Sequence, residues 1–162
     1  VTYLTCQELA MLRLRAAEAA DVPVIHQLIG ELADFEHLRH QMRGSVEDLR
    51  GHLFGEPRYA EVLLAEWNGQ VGAFALYFFN YSTFLCRPGL YLEDLFVRPA
   101  LRGRGIGAAL LRAIEQRAVE RGCGRLEWAV LDWNQGAIEF YRRFGAGPHE
   151  GWTLFRKELT PR

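Results

Sequence analysis

The chain has 162 residues, of which 49% are hydrophobic and 24% charged, with a formal net charge of -1. That length fits one domain with a sizeable core, and the composition excludes a disordered chain. The near-zero charge argues against a nucleic-acid partner, which would call for a strongly basic face. Cys6, Cys86 and Cys123 are three widely spaced cysteines, neither a disulfide framework nor a CxxC metal motif, and read as idle thiols in a reducing compartment. The longest apolar run, Val71 to Phe79, is far shorter than the roughly 20 residues of a membrane span. Residues 1–10 show no period and no signal-peptide pattern, and are expected to be a loosely ordered extension before a domain spanning 11–160.

Leu12, Leu14 and Ala16 stand at every second position, as in a first strand. Asp21 is placed to cap a helix with Pro23 in its first turn. Val24, Ile25, Leu28, Ile29, Leu32 and Phe35 continue that helix at three- and four-residue spacing to about His37. Ser45 and Asp48 resemble a capping box for a short helix reaching Leu53. Ala60 to Trp67 and Val71 to Asn80 read as strands joined by Asn68-Gly69, a dipeptide suited to the positive φ of a hairpin turn. After a loop over 81–89, Leu90 to Val97 is the next strand. The glycine run Arg102-Gly103-Arg104-Gly105-Ile106-Gly107 then opens a helix reaching Arg121, with Leu110, Leu111, Ile114, Ala118 and Val119 on its apolar side. Leu126 to Leu131 reads as a strand, Gln135 to Arg143 as a helix, and Trp152 to Leu159 as a last strand. The order β-α-α-β-β-β-α-β-α-β predicts a single α/β domain with a mixed, mostly antiparallel twisted sheet flanked by helices.

A strand feeding a glycine-rich turn that opens a helix suits a phosphate, because glycine lets the backbone approach an anion and first-turn N–H groups lack partners. No Lys-Ser or Lys-Thr follows the glycines, so this is not a nucleotide P-loop. Gly103-x-Gly105-x-x-Ala108, with Glu127 about 20 residues beyond, matches a relaxed dinucleotide fingerprint, but that motif should follow the first strand of a parallel series. A glycine turn with no ligand is a further alternative, hard to reconcile with consecutive backbone donors beside two arginines.

Read as R-x-x-G-x-G, Arg102-x-x-Gly105-x-Gly107 resembles the pyrophosphate loop of the GNAT superfamily of N-acetyltransferases, and the element order agrees from Leu12 to Leu159. Tyr91-Leu92-Glu93-Asp94, Trp133-Asn134, Phe140-Tyr141 and Glu150-Gly151-Trp152, with Glu31-Leu32-Ala33 and Phe35-Glu36, are similar to the diamine (spermidine/spermine) and thialysine acetyltransferase branch. The resemblance implies acetyl-CoA as co-substrate, held by Arg102, Gly103, Arg104, Gly105, Ile106 and Gly107, with no metal. It implies that pantetheine pairs with the strand near Leu95, Phe96 and Val97, where a backbone N–H polarises the thioester carbonyl. Glu93 would take the proton of the amine, directly or through water, and Tyr141 would serve as acid for the thiolate. Asn134 would hold the cofactor, although capping the following helix explains it equally.

The same resemblance points to Phe35, Glu36, Glu93, Asp94 and Trp152 as amine-binding residues, the aromatic faces adding cation–π attraction. Strand alternation places Asp94 on the face opposite Glu93. Without the resemblance, Glu93 is a solvated strand-end carboxylate, Glu36 a surface charge and Tyr141 a core aromatic. The chain departs from the branch at Phe35, where tyrosine is usual, and at Gly136-Ala137, where Pro-Ser is common. The implied protein is a cytoplasmic homodimer, Tyr77 to Phe84 forming a contact surface, that acetylates a small polycationic amine. A peptide or protein N-terminal or lysine acetyltransferase and a non-catalytic acyl-CoA sensor are the alternatives.

Overall fold

The computed structural model describes residues 11–159, so residues 1–10, including Cys6, lie outside the described residues. The chain divides after Ala129 into two compact units. In the first, β1 (Leu12–Ala16) leads through a 3-10 turn to α1 (Val22–Phe35), and α2 (Val46–Phe54) follows. Next come β2 (Glu61–Trp67), β3 (Gln70–Ser82), β4 (Arg87–Val97), α3 (Ile106–Glu120) and β5 (Arg125–Glu127). The strands form one sheet in the order β1-β2-β3-β4-β5, antiparallel up to β4 and parallel between β4 and β5.

Local chemistry accounts for most boundaries. Ser45 Oγ accepts from Asp48 N–H at 3.0 Å while Asp48 accepts from Ser45 N–H at 3.0 Å, so the expected capping box opens α2. Asn68 and Gly69 sit at φ of 51° and 76°, the two positive values that a type I′ hairpin turn requires. Asp21 behaves differently from the expected cap: its carboxylate receives Arg15 at 2.6 and 2.8 Å and the Glu18 N–H at 2.8 Å, leaving no side-chain cap on α1. A guanidinium fork within reach competes for the oxygens that would otherwise bond the first helical turn.

Ile25, Leu28 and Leu32 of α1 pack with Leu53 of α2 on Val62, Leu64, Phe74, Leu76 and Phe96, forming the core on one side of the sheet. Helix α3 covers the other side, where Arg117 donates to the hydroxyl of buried Tyr77, which itself donates to Glu61 at 2.9 Å. Burial and Glu61 push the Tyr77 hydroxyl up to about 12. Tyr77 is therefore core. The exposed aromatic residues of the expected contact surface are Tyr81 and Phe84, beside Leu85. Val119 is likewise 72% exposed, because α3 turns only one stripe to the sheet.

The second unit contains α4 (Gln135–Arg143). The expected strand Leu126 to Leu131 shrinks to the three residues of β5, and Trp152 to Leu159 forms no strand. A strand exists only where a neighbour completes its ladder. Among the described residues none pairs with 152–159, whose Trp152, Leu154, Phe155 and Leu159 stay exposed. No described helix is long and apolar enough to cross a membrane.

Candidate active site

The site is built on an irregularity of β4. Leu92 lies opposite Tyr77 and Asp94 opposite Leu76, so Glu93 is an extra residue in β4 with no partner on β3. Tyr77 faces α3, whereas Leu76 belongs to the core beneath α1. Counting outward from each side of this bulge, Tyr91, Glu93, Asp94 and Phe96 all fall on the α1 side. The alternation expected between Glu93 and Asp94 is thus cancelled, and the two carboxylates share one face.

Electrostatics agree with that placement. Asp94 is pushed up to about 7, first by burial and then by the negative charges of Glu93 and Glu36. Glu36 is the C-terminal cap residue of α1, and its carboxyl is also raised by burial. Three carboxylates from a helix end and a strand bulge therefore concentrate negative potential, and among the described residues they are not arranged as metal ligands. Such a patch favours a cation, which would relieve the mutual repulsion.

β5 pairs with β4 only over Gly89–Tyr91, so among the described residues the outer edge of Leu92–Val97 has no ladder partner. Leu95 and Val97 lie on this free stretch, while the Phe96 side chain is buried in the core. Past Val97 the chain makes a 3-10 turn, Pro99–Leu101, and enters the glycine loop. Gly103 and Gly105 have φ of 77° and 74°, and Gly105 caps α3 without any side chain bonding the first turn. A Cβ at Gly103 would meet nothing within 4 Å, so that side of the loop is open. Uncapped N–H groups at Ile106 and Gly107, at the positive end of a 15-residue helix and flanked by Arg102 and Arg104, fit a diphosphate. Arg102 does not contribute its own N–H as expected, because that group donates to Pro99 O at 3.2 Å.

Two arginines tie this loop to the end of α1. Arg98 donates to both oxygens of Glu31 at 2.9 Å and to Val71 O at 3.1 Å, which holds Glu31 below the usual carboxylate range. One helical turn on, the Arg102 guanidinium lies 4.5 Å from the centre of the Phe35 ring, and its Nε donates to Val97 O at 3.0 Å. A ring face of Phe35 thus carries a cation of the chain itself. Arg104 lies 5.3 Å over Trp67. Arg98 escaped the sequence reading because an arginine after a strand is unremarkable until its partner on α1 is known.

Phe35, Glu36, Glu93, Asp94, Leu95, Phe96, Val97 and the 102–107 loop thus belong to the first unit, and Asn134, Tyr141 and Trp152 to the second. There Asn134 Oδ1 accepts from Ala137 N–H at 3.2 Å and caps α4. Tyr141 lies on α4 with its ring 5.3 Å from Phe140, and Trp152 stacks on His149 at 5.7 Å.

Known proteins share this fold. An aminoglycoside acetyltransferase structure from an uncultured soil metagenomic sample superposes with a TM-score of 0.78 over 93% of this chain and 98% of its own, at 20% identity, which establishes the fold. Thialysine N-epsilon-acetyltransferase of Bos taurus is 38% identical, covering 93% of this chain and 94% of its own length. Spermidine/spermine N(1)-acetyltransferase-like protein 1 of Homo sapiens is 39% identical over 89% of this chain and 22% of its own. Residues 26–146 match the acetyltransferase (GNAT) family, whose enzymes use acetyl-CoA. With a five-stranded mixed sheet, a glycine loop fit for diphosphate and relatives that acetylate amines, the chain belongs to the GNAT family and is an N-acetyltransferase.

Proposed function

We propose that this enzyme moves the acetyl group of acetyl-CoA directly to a primary amine of a small polycationic molecule, a polyamine, a diamine or a thialysine-like compound. The observation that carries the reading is the carboxylate group Glu36, Glu93 and Asp94, gathered on one face beside the strand that leads into the diphosphate-fit loop. Negative potential there attracts an ammonium, and the similar proteins are named for thialysine and for spermidine and spermine.

In this reading Gly103 to Gly107, with Arg102 and Arg104 as flanking charges, hold the diphosphate, and Asn134 adds a polar contact. The free edge of Leu95–Val97 supplies a backbone N–H to the thioester carbonyl. Glu36 and Asp94 hold the amine's cationic groups, and Phe35 and Trp152 are assigned aromatic contacts with the amine on the resemblance to the diamine branch. Glu93, directly or through one water, accepts the proton that the ammonium must lose, since a free alkylamine titrates near 10.4. As the amine nitrogen bonds to the carbonyl carbon and the carbon–sulfur bond breaks, Tyr141 donates a proton to the departing thiolate, and the second proton, shed by the acylated nitrogen, returns the phenolate to phenol. The enzyme works as a cytoplasmic homodimer, with Tyr81 and Phe84 on the exposed loop side of β3 as contact residues.

A thiol-release assay over spermidine, spermine, short diamines, thialysine and lysine peptides tests the reading. Turnover with the small amines is expected. Release with peptides alone would overturn the substrate class, and release with none would overturn the proposal.

A further inference from the structure

Three arginines, Arg98, Arg102 and Arg104, stand between the end of β4 and the start of α3, and the fold holds them in two different ways. Arg98 is taken up by Glu31, whose two oxygens it meets at 2.9 Å, and by Val71 O at 3.1 Å. Its charge is neutralised, and it serves as an anchor to α1. Arg102 and Arg104 have no carboxylate partner among the described residues. Each lies instead over aromatic rings. Arg102 is 4.5 Å from the centre of Phe35 and 5.7 Å from that of Phe96, and Arg104 is 5.3 Å from that of Trp67.

A carboxylate and a ring position a guanidinium with different consequences. An ion pair cancels the charge and occupies N–H donors, which lie in the guanidinium plane. A ring face holds the cation through its quadrupole and leaves both the charge and the donors at the edge in place. Among the described residues Arg102 gives only its Nε–H to the protein, at Val97 O, and Arg104 gives none. Both residues are exposed, so their remaining N–H groups are open to an anion.

The two rings come from opposite flanks of the loop. Phe35 ends α1, and Trp67 ends β2, where it is only 8% exposed and forms a fixed platform. Between them, Leu101 lies so close to β3 that a Cβ at Gly72 would collide with its Cδ1, and the Arg98 N–H donates to Gly72 O at 3.0 Å. Phe35 also keeps opposite charges apart. Its neighbour Glu36 is raised by burial, and Asp94 by burial, Glu93 and Glu36, with no guanidinium offsetting either. Stacked on Phe35, Arg102 stays with the glycine loop rather than cancelling the acidic face.

The geometry points to Phe35 and Trp67 as positioning residues for the cofactor: their ring faces hold Arg102 and Arg104 ready for the diphosphate without neutralising them. Phe35 thereby gains a task besides its amine contact, and Trp67, unremarkable in the sequence, joins the loop's machinery. The inference rests on the reading of the glycine loop as the diphosphate seat and extends it.

Calorimetric titration with CoA, in the absence of any amine, tests it. Phe35→Leu and Trp67→Leu are each expected to weaken CoA binding by about three- to tenfold, whereas Phe35→Tyr and Trp67→Phe, which keep a ring, stay within about twofold of wild type. Two double-mutant cycles show whether the rings act through the arginines. Arg102→Gln should weaken CoA binding in the wild-type background but add little in Phe35→Leu, and Arg104→Gln should behave likewise with Trp67→Leu. Losses that add in full would overturn the seat concerned, as would a Leu variant that binds CoA as tightly as wild type. Should Trp67→Leu fail to fold, the Phe35–Arg102 cycle carries the test alone. Wild-type enzyme that does not bind CoA would refute the diphosphate reading itself.

Discussion

Replacing Asp94 by asparagine should make the protein more stable, and increasingly so as pH rises. The folded environment lifts this carboxyl from an ordinary 3.8 to about 7, through burial and the facing charges of Glu93 and Glu36. Below pH 4 the group is protonated in both folded and unfolded chains, so it contributes no difference. Between about 4 and 7 the unfolded chain gives up the proton first, and folded stability falls as pH rises. Above 7 the full penalty is present, about 4 kcal/mol at 1.36 kcal/mol for each tenfold step. Asparagine does not ionise, so its advantage should grow from about 2 kcal/mol at pH 5.5 to about 4 kcal/mol at pH 8. Urea unfolding of both proteins at those two pH values measures it. The same variant should lose amine affinity, because the repulsion that destabilises the free enzyme is what a bound ammonium relieves. An advantage that does not change with pH, or an asparagine variant less stable at pH 8, would refute the assignment of Asp94 as a strained, cation-seeking carboxyl.

Glu93→Gln should lower kcat at neutral pH and recover toward wild type near pH 10, where solvent deprotonates the amine; a pH–rate profile unchanged from wild type would remove Glu93 as the proton acceptor. Tyr141→Phe should reduce kcat more than it raises KM for acetyl-CoA, and an unchanged kcat would return Tyr141 to a packing role. Arg98→Ala should cost about 2 kcal/mol in urea unfolding, since it removes both guanidinium bonds to the half-buried Glu31 carboxylate, leaving it Gln27 alone, and a donor to Val71 O. Because Arg98 holds Glu31 below its ordinary range, that contribution is present above the usual carboxylate pKa and fades as pH falls through the lowered value. Equal stability of the variant and wild type at pH 7 would show the clamp to be inert.

Much of this protein is legible without coordinates. Amphipathic spacing in α1 and α3, the Ser45–Asp48 box, and the Asn68-Gly69 turn act within a few residues, so the sequence alone locates those elements. The R-x-x-G-x-G loop is equally local: two glycines at positive φ and an uncapped helix start are written in six consecutive residues. Only tertiary structure decides what depends on distant partners. Whether 152–159 forms a strand depends on a ladder elsewhere, and an alternating pattern cannot supply one. The bulge at Glu93 exists because β3 passes Leu76 and Tyr77 in a particular register, and no residue in β4 announces that shift. That single extra residue turns Asp94 to the side of Glu93 and into the field of Glu36 of α1. The loop fit for a diphosphate is thus local in sequence, whereas the carboxylate face proposed to hold the amine is assembled from a helix end and a bulged strand, and only their packing creates it.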